Sequence, residues 1–260
     1  MDSNVTQHFR RDEVPFIEMV TDLINEASEE YRPVLTHFLN PRQVYILTTI
    51  ANGNDDVKIQ AFGGYENAEL QRVLIYPQYF EPQQKDFDIA IFEINYPVKF
   101  AVLHHSQVLG TLANLGVDRE VIGDIITDGS RWQFFVEGAM ATYFDNQVDQ
   151  IGKIKVRLDP LEITEAISPL SEWEEEGASL SSIRLDNIVA TAFHLSRHRA
   201  KALVEGSKVR VNWAVSEKPD YDLAIEDIIS VRGFGRIKLV SLNGQTKKDK
   251  IRVTMAVLRK

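Results

Sequence analysis

The chain has 260 residues, 44% hydrophobic and 26% charged, with nine prolines and fourteen glycines, the make-up of a folded protein of two or three domains and not of a disordered or fibrous one. It has no cysteine, which excludes disulfides, thiolate metal sites and a cysteine nucleophile and fits a reducing, cytoplasmic setting. The net charge of −9 conceals an asymmetry, because residues 181–260 hold 16 Lys and Arg against 8 Asp and Glu, leaving 13 basic and 30 acidic residues in 1–180. That pattern is expected when one module seeks a polyanion and the remainder does not.

Residues Met1 to Arg11 are polar and no later stretch is apolar for long enough to cross a bilayer, so neither a signal peptide nor a membrane span is expected. Val14, Ile17, Val20, Leu23 and Ile24 recur at helical spacing, residues 34–39 form a second short apolar stretch, and Pro41 suits a first helical turn. Residues 1–85 therefore read as a mostly helical, α+β region, with strand character at 57–62 and 73–76 on either side of Gly63-Gly64. From residue 86 the order is strand (88–94), helix (105–115, closed by Gly116), strands (122–127 and 131–136, joined by Asp128-Gly129-Ser130), helix (139–148) and strand (153–158). This βαββαβ order predicts a ferredoxin-like, RRM-like domain over 86–166. The aromatic RNA-recognition signature is absent from Arg131 to Gly138, and Trp132, Phe134 and Phe135 are candidates for base stacking or for core. Residues 167–181, with Pro169, Glu172, Glu174, Glu175, Glu176 and Gly177, read as a linker.

Residues 182–260 carry the strongest signal. Leu185, Ile188, Val189, Ala192 and Phe193 form a buried helical stripe, and Ser196 sits where an N-cap is wanted for a second helix that Gly206 ends. Arg197 and Lys201 lie on one face beside that helix N-terminus and make an anion-facing edge, extended by Arg184, Lys208 and Arg210. Residues 217–227 are instead acidic, and such segregation favours a binding face. Arg232 and Arg236 bracket Gly233 and Gly235, which suits either a backbone clamp on a phosphate or a plain turn, and Lys238 follows. A last hairpin, tipped by Asn243-Gly244, carries Lys247, Lys248, Lys250 and Arg252.

Arg184-Leu185-Asp186, Ser196-Arg197-x-x-Ala200, Gly206-x-x-Val209-x-Val211-Asn212 and Asp227-x-Ile229 resemble the S4 RNA-binding domain. Trp213 departs from it, standing where many S4 domains place glycine, and predicts a different local turn. Together with the segment Gly116-x-x-Arg119-Glu120-x-Ile122-Gly123-Asp124-Ile125 and the Arg232 to Arg236 run, the chain is similar to the YlmH-type S4 proteins of Gram-positive bacteria. The resemblance implies a protein that binds structured RNA, ribosomal RNA or tRNA, on the large ribosomal subunit, encoded among cell-division genes.

The chain offers few recognisable catalytic groups. His104-His105 has no HExxH context, and no GxSxG elbow, Walker loop or glycine-rich methyl-donor loop occurs. Asp86, Asp88, Asp124 and Asp128 suit either an acidic site or, as is more usual in so acidic a domain, separately solvated carboxylates. The expectation is a cytoplasmic, monomeric RNA-binding protein without cofactor or metal; the alternatives are an RNA-modifying enzyme with its active site between residues 88 and 158, and a cell-division adaptor.

Overall fold

The computed structural model describes residues 9–170, 173–246 and 249–259. Glu172, Lys247 and Lys248 of the readings above, with residues 1–8, lie outside the described residues. Helix and sheet are mixed throughout, and the chain divides into two compact units, Met1–Leu170 and Ser171–Lys260.

In the first unit, α1 (Val14–Glu29) and α2 (Pro41–Ala51) pack on a sheet of β1 (Val34–Leu39), β2 (Val57–Phe62) and β3 (Gln71–Pro77) in the order β1-β3-β2. Ile17, Val20, Ile24 and Ala27 bury one stripe of α1, as the spacing requires. Asn40 caps α2, its side chain accepting from the Gln43 amide at 3.0 Å while Gln43 accepts from the Asn40 amide at 2.9 Å. Residues 34–39 are a strand, so the N-terminal region is less helical than the sequence suggests.

The remainder of this unit runs β4 (Ile89–Asn95), α3 (His105–Ala113), β5 (Ile122–Thr127), β6 (Trp132–Glu137), α4 (Ala141–Gln147), a hairpin of β7 (Gln150–Ile151) and β8 (Ile154–Lys155), and β9 (Arg157–Leu161). The sheet order is β5-β6-β4-β9 with every neighbour antiparallel. The strand expected at 153–158 is thus displaced, because the chain turns at Gly152 (φ 60°) before β9 begins. Phe92, Leu112, Phe134 and Phe144 share the core on the helical side.

The other side of the sheet is buried too, which sets β6 apart: all six of its residues are buried. Tyr65 stacks on Phe135 with ring centroids 5.3 Å apart, and His37 Nδ1 lies 2.7 Å from Glu137 Oε1. Gln133 donates to the Glu165 carbonyl at 3.2 Å and accepts from the Ile167 amide at 2.9 Å. Gly64 is required here, since it holds φ at 99° and a Cβ would sit 2.4 Å from the Phe135 ring. Trp132, Phe134 and Phe135 are therefore core.

Asp124 and Asp128 serve the fold at separate places. Asp124 is buried, accepting from Tyr65 Oη and the Glu69 amide at 2.7 Å and from the Leu70 amide at 3.2 Å. Burial, reinforced by the charge of Glu69, pushes its pKa up to about 6 against those hydrogen bonds. It is not the solvated group its setting in the sequence implied. Asp128 accepts from the amides of Ser130 and Arg131 in the β5–β6 turn, and these hold its carboxyl below the usual range.

The second unit is a six-stranded antiparallel sheet, β10 (Glu174–Leu180), β15 (Ile251–Arg259), β14 (Gly235–Gln245), β13 (Ile228–Val231), β11 (Val209–Val211) and β12 (Ala214–Val215) in spatial order. The helices α5 (Leu185–Ala192) and α6 (Arg197–Glu205) share a core with Val209, Ile229, Ile237, Met255 and Val257. The expected linker is therefore largely strand: Glu174 to Leu180 pairs along its whole length with Val257 to Ile251. Ala178 and Leu180 turn toward the core while Glu175, Gly177 and Ser179 are exposed, an alternation that the glutamates mask in the sequence. With the boundary moved, residues 171–260 hold 16 basic and 12 acidic residues and 1–170 hold 13 and 26.

Candidate nucleic-acid interface

The sequence motifs of the second unit turn out to be largely internal fastenings. Arg197 Nε lies 2.9 Å from Asp186 Oδ2 and its Nη2 3.4 Å from Oδ1, joining α6 to the buried carboxylate of α5. That pairing holds the Arg197 guanidinium above the usual arginine range. The Ser196 hydroxyl accepts from the Arg199 amide at 3.2 Å and so caps α6 as expected. Asp227, fully buried, accepts from Asn212 Nδ2 and from the Ala224 amide, both at 2.8 Å. Gly206 follows α6 at φ −88°, and the left-handed residue is Ser207, so the helix end does not use the glycine's freedom.

Other predicted cations are partly neutralised. Lys238 Nζ is 2.7 Å from Glu226, Lys201 Nζ 3.5 Å from Glu205, and Arg184, at the N-cap of α5, has Nη2 3.9 Å from Asp220. Gly235 is held at φ 140° and a Cβ there would lie 1.9 Å from the Leu258 carbonyl oxygen, so the neighbouring strand already accounts for that glycine. Gly233 (φ 87°) faces open space.

Lys208, Arg210 and Arg232 remain exposed, and among the described residues no ion pair engages them. The Arg232 amide donates to the Lys208 carbonyl at 2.9 Å, which brings α6's exit beside the Arg232 turn. Phe234 at the tip of that turn lies 5.6 Å from the Phe193 ring, and the guanidinium of Arg199 sits 5.5 Å above Phe234. Arg199 thus sits on an aromatic ring in the turn that also carries Arg232, and Lys208 is joined to that turn through its backbone. Sequence reasoning missed Arg199 and Phe234; the signal available was the position of Arg199 one helical turn from Ser196.

A second group lies on the sheet side away from the helices. Arg210 is paired with Ser230, and Ser230 with Arg236. The Arg236 guanidinium lies 5.7 Å from the Trp173 ring and 6.0 Å from the Trp213 ring, within cation–π range of both. The β11–β12 turn keeps two left-handed residues, Asn212 (φ 47°) and Trp213 (φ 68°), despite the missing glycine. The second of these positions therefore holds a tryptophan under strain.

A small domain of two short helices on an antiparallel sheet, fastened by Asp186–Arg197 and Asn212–Asp227, defines an S4-domain protein, and residues 183–229 match the S4 domain family model. Residues 12–80 match "YlmH, N-terminal" and 82–165 match "Putative RNA-binding domain in YlmH". The chain is 37% identical over 252 residues to "Ribosome-associated protein quality control protein P2" of Bacillus subtilis (strain 168), covering 97% of this chain and 98% of that one. It also resembles the solved structure titled "Cell division protein ylmH from Streptococcus pneumoniae", with a TM-score of 0.55 and 36% identity over 62% of this chain and 98% of that chain. The chain belongs to the YlmH family.

No described helix is long and apolar enough to cross a membrane, and no group of metal-ligating side chains occurs among the described residues.

Proposed function

We propose that the protein is a non-catalytic RNA-binding factor of the ribosome, a cytoplasmic monomer whose S4 unit grips structured RNA, ribosomal RNA or tRNA, on the large subunit. The observation that carries this reading is Arg199 seated on the Phe234 ring, with the exposed Lys208 and Arg232 joined backbone to backbone in the adjoining segments and no ion pair engaging either among the described residues. Charges placed in this way attract phosphates and position an RNA without reading its sequence. The Bacillus subtilis relative, matched over nearly the whole of both chains, is titled a ribosome-associated protein, which supports the ribosome as the place where this RNA is met.

Sedimentation of the full chain with purified large subunits tests the proposal. The parent chain co-sediments, and Lys208→Glu combined with Arg232→Glu releases it while the melting temperature stays unchanged. A folded double variant that sediments like the parent removes this cluster from the interface.

A further inference from the structure

The sheet face that RRM-like domains offer to single strands is covered in this chain: Phe135, Gln133 and Glu137 lie beneath Tyr65, His37 and residues 165–167. RNA contact by the region matching the YlmH RNA-binding domain needs a different surface. One end of the sheet provides it. Asn95, the last residue of β4, pairs with Arg157, the first of β9, so loop 96–104 and the β7–β8 hairpin leave the sheet side by side. Leu103, Val108 and Ile151 share one core, and the Gly152 turn lies against Gln107 in the first turn of α3. The loop and hairpin are therefore anchored from below.

What they present outward is unusual for this unit. Phe100 is 90% exposed, flanked by Val98 at 60% and Val102 at 69%. Beside it, residues 96–105 and 149–159 hold Lys99, Lys153, Lys155 and Arg157 against Asp149 and Asp159, a positive patch in a unit that is otherwise acidic. Arg10 and Arg42 are taken up by Glu13, Arg32 by Glu26 and Glu30, and Arg131 by Asp128. At the patch the cations stay exposed: Lys155 and Asp149 are 3.8 Å apart with both side chains 81% exposed, and Arg157, held by both carboxylate oxygens of Asp159 at 2.9 and 3.2 Å, is still 77% exposed. The long, exposed Lys155 pair is readily exchanged for phosphate, and Lys99 and Lys153 stand beside it.

We propose that loop 96–104 and the β7–β8 hairpin form a second RNA-contacting surface, in which Phe100 stacks on an unpaired base and Lys99, Lys153, Lys155 and Arg157 hold the flanking phosphates. An exposed aromatic ring rimmed by cations is the combination that binds single strands with little sequence preference. A purely apolar protein partner would make no use of the four cations. The inference rests on the reading of the chain as an RNA-binding protein, and it concerns a different unit from the S4 cluster.

The full chain is titrated with a fluorescent polyuridine oligonucleotide and, separately, with an RNA duplex, with the melting temperature recorded for each variant. Phe100→Ala weakens polyuridine binding about five-fold or more, Phe100→Trp retains it, and Phe100→Leu weakens it as alanine does, because stacking needs a ring. Lys153→Glu with Lys155→Glu lowers the slope of log affinity against log salt by about 1.4, at about 0.7 per single-strand contact. Duplex binding is unchanged in all of these and is lost in Lys208→Glu/Arg232→Glu. Parent-like polyuridine binding by Phe100→Ala, or by the lysine double variant, overturns the second surface and leaves the S4 reading standing. Parent-like binding by Phe100→Leu alone replaces stacking with an apolar contact and also overturns it. A parent chain that binds neither RNA overturns both readings.

Discussion

Asp186 and Arg197, eleven positions apart and on different helices, meet at 2.9 Å, and the carboxylate is buried while the guanidinium is half exposed. The pair makes Arg197 a fastening between α5 and α6 before it can be a ligand for phosphate. Removing one partner of such a pair leaves a buried charge uncompensated. Arg197→Glu, which sets two carboxylates against each other, lowers the melting temperature by several degrees. Lys201→Glu, on the exposed side of the same helix, gives up only a surface pair with Glu205 and lowers it far less. Thermal unfolding of the two single variants checks this, and equal melting temperatures would return Arg197 to the list of free cations.

The boundary of the S4 unit predicts how the chain can be cut. A fragment spanning 171–260 contains β10 and folds cooperatively. A fragment spanning 181–260 lacks that strand's pairing with β15 and the burial of Ala178 and Leu180; burying a leucine side chain alone contributes about 1.5–3 kcal/mol. The shorter fragment is therefore markedly less stable and exposes the edge of β15 to aggregation. Denaturant unfolding and light scattering of both fragments distinguish this from a dispensable linker.

Asp124 gives the first unit a pH dependence of defined sign. Its folded pKa, near 6, stands above the ordinary 3.8, so the folded state binds more protons than the unfolded state between those values. Stability from this group is fully present below about pH 4 and is lost as pH rises through about 6, by on the order of 3 kcal/mol at about 1.4 per pH unit. Urea midpoints of the parent and Asp124→Asn across pH 4 to 7 isolate it. Relative to the variant, which does not titrate there, the parent weakens as pH rises and then levels off; a flat difference would refute the raised pKa.

The two glycines of the Arg232 turn differ in what they tolerate. Gly235→Ala combines a strained φ with a collision against the Leu258 carbonyl and costs upward of about 1–3 kcal/mol. Gly233→Ala meets only open space and costs about 1 kcal/mol. If the turn only presents Arg232, Gly233→Ala binds RNA as the parent does. A loss of affinity in a fully folded Gly233→Ala would instead support the backbone clamp that the sequence suggested.

At Trp213 backbone strain and the ring beside Arg236 meet in one residue. Glycine at this left-handed position relieves about 1 kcal/mol, while removing one of the two rings beside Arg236. Trp213→Gly is therefore as stable as the parent or more so, and it binds RNA less tightly. A variant that melts lower with unaltered affinity would make the ring structural only.

These contrasts show where the sequence was legible. The stripe from Leu185 to Phe193 and the cap at Ser196 follow local periodicity and capping, and both stand in the structure. β10 escaped because three consecutive glutamates hide a two-residue alternation. The roles of Arg197, Lys238 and Gly235 escaped for another reason: each is set by a partner, Asp186, Glu226 or Leu258, brought close only by folding. Charge counts could not tell a neutralised arginine from an available one. The covered face of the central sheet was equally invisible, since His37 and Glu137 meet across a hundred residues.

That covered face also has a consequence for synthesis. The N-terminal layer, with His37, Gly64 and Tyr65, leaves the ribosome before β6, and its own sheet can form at once. The surface it offers to Phe135 stays wet until residue 137 has emerged, and β6 in turn needs β4 and β5 beside it. The junction between the two YlmH family segments at residues 80–82 is therefore not a point at which the nascent chain can pause as a finished domain. Completion of the first unit waits on the central sheet, and a translational arrest between the two leaves an unprotected apolar surface on the growing polypeptide.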